Sequence, residues 1–360
     1  MLGLATAKIR FIISILIFPQ FQRPQVSPKL LVLIADYPPF RRSAFCPTSL
    51  LQTITPLLIP GPRSNYSAVK HIVDLFDGDR LVIHDDQPKK WITGDRIAIL
   101  LHGLVGSHAS PCVVRLSDKL KRHGIRTIRV DMRGHGDSKL ISRSHIHGGC
   151  SPDLESVVEF VHKLSPVSKV SLVGFSIGGN VVMKTLGSWA ENFPRHIDSA
   201  VVVSPPVDLL HTSWNLGQQG NRVYEAYFMF RLKQALFYRR KRVVGLVDNG
   251  INPVPDRLFA FDDQFTAPLW GYDGASDYYA DASSIHVLKD VRVPTILLSS
   301  QDDPVVPFEM FERAHLSNYI DVVSTRQGGH LGFLSRGIRD PDRFWMDWRI
   351  SQWLSAIDNV

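Results

Sequence analysis

Ser176 stands inside the sequence Gly-Phe-Ser-Ile-Gly-Gly at positions 174–179. An apolar, β-branched run precedes it at 169–173, and an apolar run with helical spacing follows at 180–186. This order predicts a strand, a sharp turn and a helix, because the flanking glycines let strand and helix approach without side-chain clashes. A serine at the apex of such a turn is exposed above the sheet, so the pattern indicates nucleophilic attack on a carbonyl carbon.

A neutral serine needs a general base and a carboxylate that orients the base. When the serine follows a strand of an open α/β sheet in this way, the acid and then the histidine come later in the chain, each after another strand. Asp303 follows the apolar run 294–300, and His330 follows the run 320–324. We expect these two residues to be the acid and the base. Asp302 is the alternative acid, and Asp303 is preferred because it directly precedes the Pro-Val-Val-Pro loop.

Backbone N–H groups are expected to stabilise the negative charge that develops on the carbonyl oxygen during attack. The N–H of Ile177 is one predicted donor, because the helix behind the serine points its N-terminus at that oxygen. The N–H of Leu104, in the loop after a buried strand, is the other. We interpret His102 in that loop, and Arg133 and His135 in a later glycine-rich loop, as structural residues.

The elements that must position these residues alternate between strand and helix patterns from about Lys70 onward. This alternation predicts an α/β fold with a mostly parallel sheet covered by helices on both faces. The predicted strands are 81–83, 97–101, 127–130, 169–173, 200–204, 294–300 and 320–324, and the predicted helices between them are 111–123 and 154–164.

Residues 205–291 are more chain than a simple crossover between two strands needs. They include a helical, aromatic and basic segment at 222–233. We therefore predict a helical cap over the sheet edge that carries the serine, where long insertions usually shape substrate access. The basic cluster 239–242 is interpreted as a solvated helix end, with an anion site as the alternative.

The N-terminal residues do not resemble the rest of the chain. Lys8 and Arg10 precede an apolar run at 11–18, which is too short to span a bilayer. A poor signal peptide, an interfacial anchor and an extension from a misplaced start codon are the three interpretations. We favour an extension over residues 1–36, which leaves one enlarged α/β domain over 37–360.

Composition limits the classes of function. The 360 residues carry 41 Lys+Arg against 34 Asp+Glu, a net charge of +7 that is too small for a typical nucleic-acid-binding protein. Cys46, Cys112 and Cys150 form no CxxC pair, so the sequence predicts neither a disulfide framework nor a zinc site. A reducing compartment, and therefore a cytoplasmic location, is the default expectation.

With these motifs placed, the chain resembles the α/β-hydrolase superfamily and, within it, the YheT-like branch related to eukaryotic α/β-hydrolase-domain esterases. The resemblance implies a mostly parallel, eight-stranded-type sheet and hydrolysis of carboxylic esters, on short acyl chains or monoacylglycerols, without metal or organic cofactor. Cys112 departs from the family, which often has an aromatic residue there. The stretches that carry the resemblance are 51–53, 102–107, 174–180, 261–263, 271–272, 277–279, 302–304 and 328–333.

The leading hypothesis is a serine esterase that acts on a small-molecule ester. A thioesterase or lipid acyltransferase is the nearest alternative, because a different cap can redirect the same acyl-enzyme. The alternative from another class is a non-catalytic protein that binds a ligand or a membrane through the basic, aromatic cap. Peripheral membrane contact and the oligomeric state stay open.

Overall fold

A computed structural model of the protein describes residues 38–59, 68–337 and 339–357. The proposed N-terminal extension, its apolar run and the boundary near Tyr37 lie outside these residues. Within the described ranges, no helix is both long enough and apolar enough to cross a membrane.

Eight strands form the sheet, namely β1 (Val69–Asp74), β2 (Arg80–Asp86), β3 (Ile97–Leu101), β4 (Arg126–Asp131), β5 (Val170–Phe175), β6 (Ile197–Val203), β7 (Thr295–Ser300) and β8 (Ile320–Thr325). Their order across the sheet is β1-β2-β4-β3-β5-β6-β7-β8. β2 pairs antiparallel with both β1 and β4, whereas every pair from β4 through β8 is parallel. β3 and β5 are buried along their whole length and are mostly aliphatic, as strands covered on both faces must be. The predicted mostly parallel α/β sheet is confirmed.

Helices cover both faces of the sheet. Those of the described chain are α1 (Ser49–Leu58), α2 (Pro111–Arg122), α3 (Ser151–Leu164), α4 (Ile177–Trp189), α5 (Leu209–Leu216), α6 (Arg222–Arg240), α7 (Leu258–Phe261), α8 (Ala267–Leu269), α9 (Ala275–Ala282), α10 (Glu309–Arg313) and α11 (Trp345–Ile357). Buried residues of α3 and α4 form a hydrophobic core on one face, and those of α2 and α11 form another core on the opposite face. Both cores hold the sheet between helical layers, so the loops at its edges carry the site.

The segment predicted as a cap, residues 205–291, contains the five helices α5 to α9. The longest of them, α6, continues for seven residues beyond the predicted end at 233. Its side chains pack partly on the core of the α3 and α4 face, where Met229 and Leu236 are buried. The cap is therefore joined to the main core by its longest helix.

The interpretation of the basic cluster 239–242 as a solvated helix end is wrong at Arg239. Its side chain is buried, and its guanidinium donates to the carbonyl oxygens of Ser142 at 2.7 Å, Ser144 at 3.0 Å and Lys139 at 3.2 Å. These bonds offset the cost of burying the charge, and burial lowers the pKa of Arg239 to about 10. The residue ties α6 to the loop after β4.

Candidate active site

Ser176 lies between β5 and α4 with φ 51° and ψ −122°, a conformation that residues with a side chain rarely adopt. The tight turn depends on two neighbouring glycines. A Cβ atom at Gly174 would lie 2.5 Å from the carbonyl oxygen of Gly178, and one at Gly178 would lie 2.5 Å from the carbonyl oxygen of His102. Larger residues at these two positions would push the helix away from the strand.

The structure brings Ser176, Asp303 and His330 together. The Oγ atom of Ser176 lies 3.0 Å from Nε2 of His330, and Nδ1 of the same ring lies 2.9 Å from Oδ2 of Asp303. The other carboxylate oxygen accepts the N–H groups of Val305 and Val306, both at 2.9 Å. All three side chains are buried. The carboxylate is thus fixed by the backbone, the imidazole by the carboxylate, and the hydroxyl faces the free edge of the imidazole.

Asp302, the alternative acid, occupies a different position. Its Oδ1 accepts the N–H of Gly329 at 2.9 Å, and the hydroxyl of Ser300 donates to the Gly329 carbonyl at 2.9 Å. Asp302 therefore holds the loop that carries His330, while Asp303 holds the imidazole itself.

Sequence reasoning missed the residue that holds the backbone of His330. The hydroxyl of Thr53 accepts the His330 N–H at 2.9 Å and donates to the carbonyl of Ser49 at 2.8 Å. The preceding residue, Gln52, accepts the N–H of Leu334 at 2.8 Å with its amide oxygen and donates to the Leu334 carbonyl at 3.1 Å with its amide nitrogen. The Leu-Gln-Thr stretch at 51–53, which carries part of the family resemblance, clamps the histidine loop.

The two predicted N–H donors flank the serine. Ile177 is the first residue of α4, and Leu104 lies in the loop that follows β3. The backbone of Gly103 packs directly on the serine, because a Cβ atom there would lie 3.3 Å from Cβ of Ser176. Leu104 and Ser176 line the same two cavities. A carbonyl bound at the serine therefore has both residues beside it.

His102, Arg133 and His135 lie in the supporting loops, as predicted. His102 is fully buried, donates from Nδ1 to the next carbonyl at 2.7 Å and accepts the Met132 N–H at 3.2 Å. Arg133 is fully buried and pairs with Asp153 at 2.6 Å. Burial lowers the pKa of His135 to about 4, so that this ring is neutral near pH 7.

Two cavities meet at Ser176. The narrow cavity, of about 110 Å³, runs beneath the cap and is lined mainly by aliphatic and aromatic side chains. The wide cavity, of about 570 Å³, opens between α1, the loop after β3 and α6. Residues that line the narrow cavity include Ile177, Phe228, Leu232, Leu236, Leu258, Phe265 and Val306. Residues that line the wide cavity include Ile54, Leu57, Cys112, Val223, Tyr227 and Arg231.

One carboxyl group also lines the narrow cavity. Asp262 accepts hydrogen bonds from the hydroxyls of Tyr279 at 2.6 Å and Thr266 at 2.7 Å. Burial outweighs these bonds and raises the pKa of Asp262 to about 6. The cavity is therefore apolar along most of its wall, with one carboxyl group among the lining residues of the 205–291 segment.

Comparisons with known proteins agree with this geometry. A family model described as alpha/beta hydrolase fold matches residues 99–336. The chain is 26% identical to "Putative esterase YheT" of Escherichia coli (strain K12) over 327 residues, which cover 89% of this chain and 94% of that protein. It is also 26% identical to the monoacylglycerol lipase ABHD2 of Danio rerio over 280 residues, covering 74% of this chain and 65% of the relative.

A solved structure shares the fold. The esterase Pf2001 of Pyrococcus furiosus superposes with a TM-score of 0.52 at 18% identity, covering 82% of this chain and 96% of the other. At that identity the likeness concerns the fold alone.

Proposed function

The chain belongs to the α/β-hydrolase family and is YheT-like, and we propose that it cleaves carboxylic esters through an acyl-enzyme on Ser176. The observation that carries the proposal is the unbroken series of hydrogen bonds from the backbone through Asp303 and His330 to the serine hydroxyl. The same series of groups activates serine in hydrolases of unrelated folds.

In the first half of the reaction, Oγ of Ser176 attacks the ester carbonyl carbon while Nε2 of His330 takes the hydroxyl proton. The buried Asp303 carboxylate stabilises the imidazolium that forms and keeps Nδ1 protonated. The carbonyl oxygen becomes negatively charged, and the N–H groups of Leu104 and Ile177 stabilise it. When the C–O bond to the alcohol breaks, His330 returns the proton to the leaving oxygen, and the acyl group stays on the serine.

In the second half, a water molecule takes the place of the alcohol. His330 removes a proton from the water as its oxygen attacks the acyl carbon, and the same two backbone N–H groups stabilise the new oxyanion. Collapse of the intermediate breaks the bond to Ser176, which regains a proton from the imidazolium. The products are a carboxylic acid and an alcohol, and no other reactant is consumed.

The two cavities support a substrate with two unlike halves. The narrow cavity is mostly apolar, so it suits the acyl chain, whereas the wide cavity suits the alcohol. A monoacylglycerol-like ester has this division, and relatives named monoacylglycerol lipase match the chain. We therefore propose acyl esters of short to medium chain length, with glycerol-like alcohols, as the substrate class.

The rim of the wide cavity supports contact with aggregated lipid. Leu57, Leu58 and Val223 are 51%, 74% and 55% exposed at or beside its mouth, and Arg231 adds a positive charge. An apolar rim with a cation favours an anionic lipid surface. Leu58→Ser is expected to slow hydrolysis of an emulsified ester but not that of a dissolved one, and equal slowing of both would contradict the contact.

Fluorophosphonate labelling and a panel of p-nitrophenyl esters test the proposed chemistry. The native chain is expected to label and to hydrolyse at least one ester, whereas Ser176→Ala is expected to do neither. Ser204→Ala is the matched control, because Ser204 follows the neighbouring strand β6 and also has a positive φ, of 44°. Undiminished labelling of the Ser176→Ala variant would refute the assignment. Acyl-CoA esters and added alcohols in the same assay distinguish a thioesterase or an acyltransferase.

A further inference from the structure

A second group of ionisable side chains lies away from Ser176. His84, His108, Asp131 and Asp137 each present one nitrogen or oxygen atom, and these four atoms lie within 4.8 Å of one another. The residues come from four places in the chain: strand β2, the loop after β3, the end of β4 and the turn after β4. The proposed catalytic reaction uses none of them.

The distances within the group suit a four-coordinate metal ion. Oδ2 of Asp131 lies 2.7 Å from Nδ1 of His108 and 3.0 Å from Nε2 of His84, and Oδ2 of Asp137 lies 3.7 Å from the same His84 nitrogen. Zinc binds nitrogen and oxygen at about 2.0–2.2 Å, so neighbouring ligands of a tetrahedral site lie roughly 3.3–3.5 Å apart. These three separations lie on both sides of that value, so changes of about 0.2–0.8 Å in them would bring the ligand atoms to tetrahedral spacing.

The ligands are held in position and the group can be reached from solvent. Asp131 is fully buried, and its carboxylate accepts the backbone N–H groups of His108 at 2.6 Å and Asp137 at 2.8 Å. The rings of His84 and His108 stack with their centroids 3.5 Å apart. The side chain of His108 is 15% exposed and that of Asp137 is 38% exposed. An ion would enter from the Asp137 side.

A positive charge already lies at that entrance. The ammonium group of Lys70 is 2.6 Å from Oδ2 of Asp137, and the lysine side chain is 57% exposed. Such an exposed pair is weak and the lysine can swing into solvent. The arrangement therefore favours a cation at this position, and a divalent ion would compete with the ammonium group for it.

We propose that His84, His108, Asp131 and Asp137 form a binding site for a divalent transition-metal ion of the zinc type. Imidazole nitrogen favours such ions over magnesium and calcium, which prefer all-oxygen sites. Each imidazole would bind through the nitrogen that now faces Asp131 and would carry its proton on the other nitrogen. Because His108 lies in the same loop as Leu104, a bound ion would join that loop to the end of β4. The proposed site is structural, and the test of metal binding does not depend on the proposed hydrolysis.

Titration of the metal-stripped full chain with Co²⁺ and Zn²⁺ tests the site, with cobalt absorption reporting coordination and calorimetry reporting stoichiometry. One ion per chain, with the intense absorption of a tetrahedral cobalt centre, is expected. Asp137→Asn and His108→Ala are expected to weaken binding at least about tenfold, because each removes one ligand. Lys70→Ala is expected to tighten binding, because it removes the competing charge.

His123→Ala is the matched control, since His123 is exposed and lies outside the group. It is expected to bind like the native chain. Asp137→Asn is the least disruptive of the ligand changes, because Asp137 is the most exposed of the four residues, and circular dichroism checks that each variant is folded. Absence of saturable binding by both the native chain and Lys70→Ala would overturn the proposal. Equal affinities in the native chain and the two ligand variants would overturn it too.

Discussion

Asp303 with His330, and Asp131 with His84 and His108, are two buried histidine–carboxylate groups at the carboxyl ends of strands in one sheet. Each carboxylate is fixed by two backbone N–H groups. They differ in what lies beyond the imidazole. The far nitrogen of His330 faces a serine hydroxyl at the meeting point of two cavities, whereas His84 and His108 stack on each other and converge on carboxylates.

A histidine beside a carboxylate does not by itself indicate catalysis. Proton transfer needs a nucleophile on the other nitrogen and room for a substrate. Two imidazoles that converge on the same carboxylate oxygen instead bring two nitrogen ligands next to a negative charge, and a cation can bind there when each ring carries its proton on the other nitrogen. Changes to the two groups should therefore affect different properties of the protein.

The largest effect expected is that of Ser176→Ala on turnover. The alanine variant removes the nucleophile from the first group and is expected to lower kcat on a p-nitrophenyl ester by about a millionfold. The melting temperature should change little, because one hydroxyl is removed. Initial rates with active-site titration give the ratio of the two kcat values. A kcat of Ser176→Ala within a hundredfold of the native value would contradict the assignment of Ser176 as the nucleophile.

Asp303→Asn is expected to lower kcat by about ten-thousandfold, since the amide cannot stabilise the imidazolium and favours the wrong tautomer. Asp302→Asn provides the matched control. Among the described residues, Asp302 accepts a hydrogen bond from the loop backbone at Gly329 alone, so its change should cost less than about tenfold in kcat, as expected for one hydrogen bond. If the Asp302 variant lost more activity than the Asp303 variant, the acid would be misassigned.

Asp131→Asn should show the reverse behaviour, with a large loss of stability and a small loss of rate. It replaces a fully buried carboxylate that accepts hydrogen bonds from two imidazoles and two backbone N–H groups. We expect the free energy of unfolding to fall by about 3–5 kcal/mol, while kcat of the folded fraction stays within tenfold. Urea unfolding and initial rates below the transition measure the two quantities. A millionfold loss of kcat without a loss of stability would place Asp131 in the catalytic group.

Asp262 is a third carboxyl with fixed partners, and it is held by hydroxyl groups instead of imidazoles. Its pKa is raised to about 6 in the folded chain by burial, above the usual value of 3.8. The protonated carboxyl therefore contributes roughly 1–3 kcal/mol to the free energy of unfolding. This contribution is fully present below about pH 4 and is lost as the pH rises through about 6. Asp262→Asn should remove this part of the pH dependence. Urea unfolding at pH 4.5 and pH 7 measures it, and an unchanged difference between the two pH values would contradict the assignment.

The smallest effects on kcat/KM are expected from substitutions in the two cavities that meet at Ser176. Cys112 lines the wide cavity and Leu236 lines the narrow one. Cys112→Phe is expected to lower kcat/KM three- to tenfold for esters of bulky alcohols, whereas Leu236→Trp is expected to lower it by about as much for long acyl chains. A matrix of alcohols and acyl lengths separates the two, and identical profiles for both variants would contradict the division of the substrate between the cavities.

The sequence allowed prediction of the strands and of the chain order of the proposed catalytic residues, because buried parallel strands are continuous apolar runs and their carboxyl ends share one edge. The run 97–101 coincides with β3, and the predicted 320–324 is one residue shorter than β8. Choosing Asp303 over Asp302 from the following proline agrees with the position of the imidazole.

What could not be predicted depends on contacts between distant segments. The burial of Arg239 requires carbonyl groups about a hundred positions earlier in the chain. The group around Asp131 draws its ligands from four segments with no shared motif. Local patterns of hydropathy and spacing contain no information about contacts between distant segments, because each segment taken alone has an ordinary surface or strand pattern.

The clamp between Thr53 and His330 joins residues that are 277 positions apart. During synthesis, Thr53 is made long before the histidine loop, and the serine turn at 174–179 is made in between. A chain at that stage can have its nucleophile in place and still lack its base. Reactivity of Ser176 would therefore appear only at the last docking step of folding, and the time course of fluorophosphonate labelling during refolding would report that step.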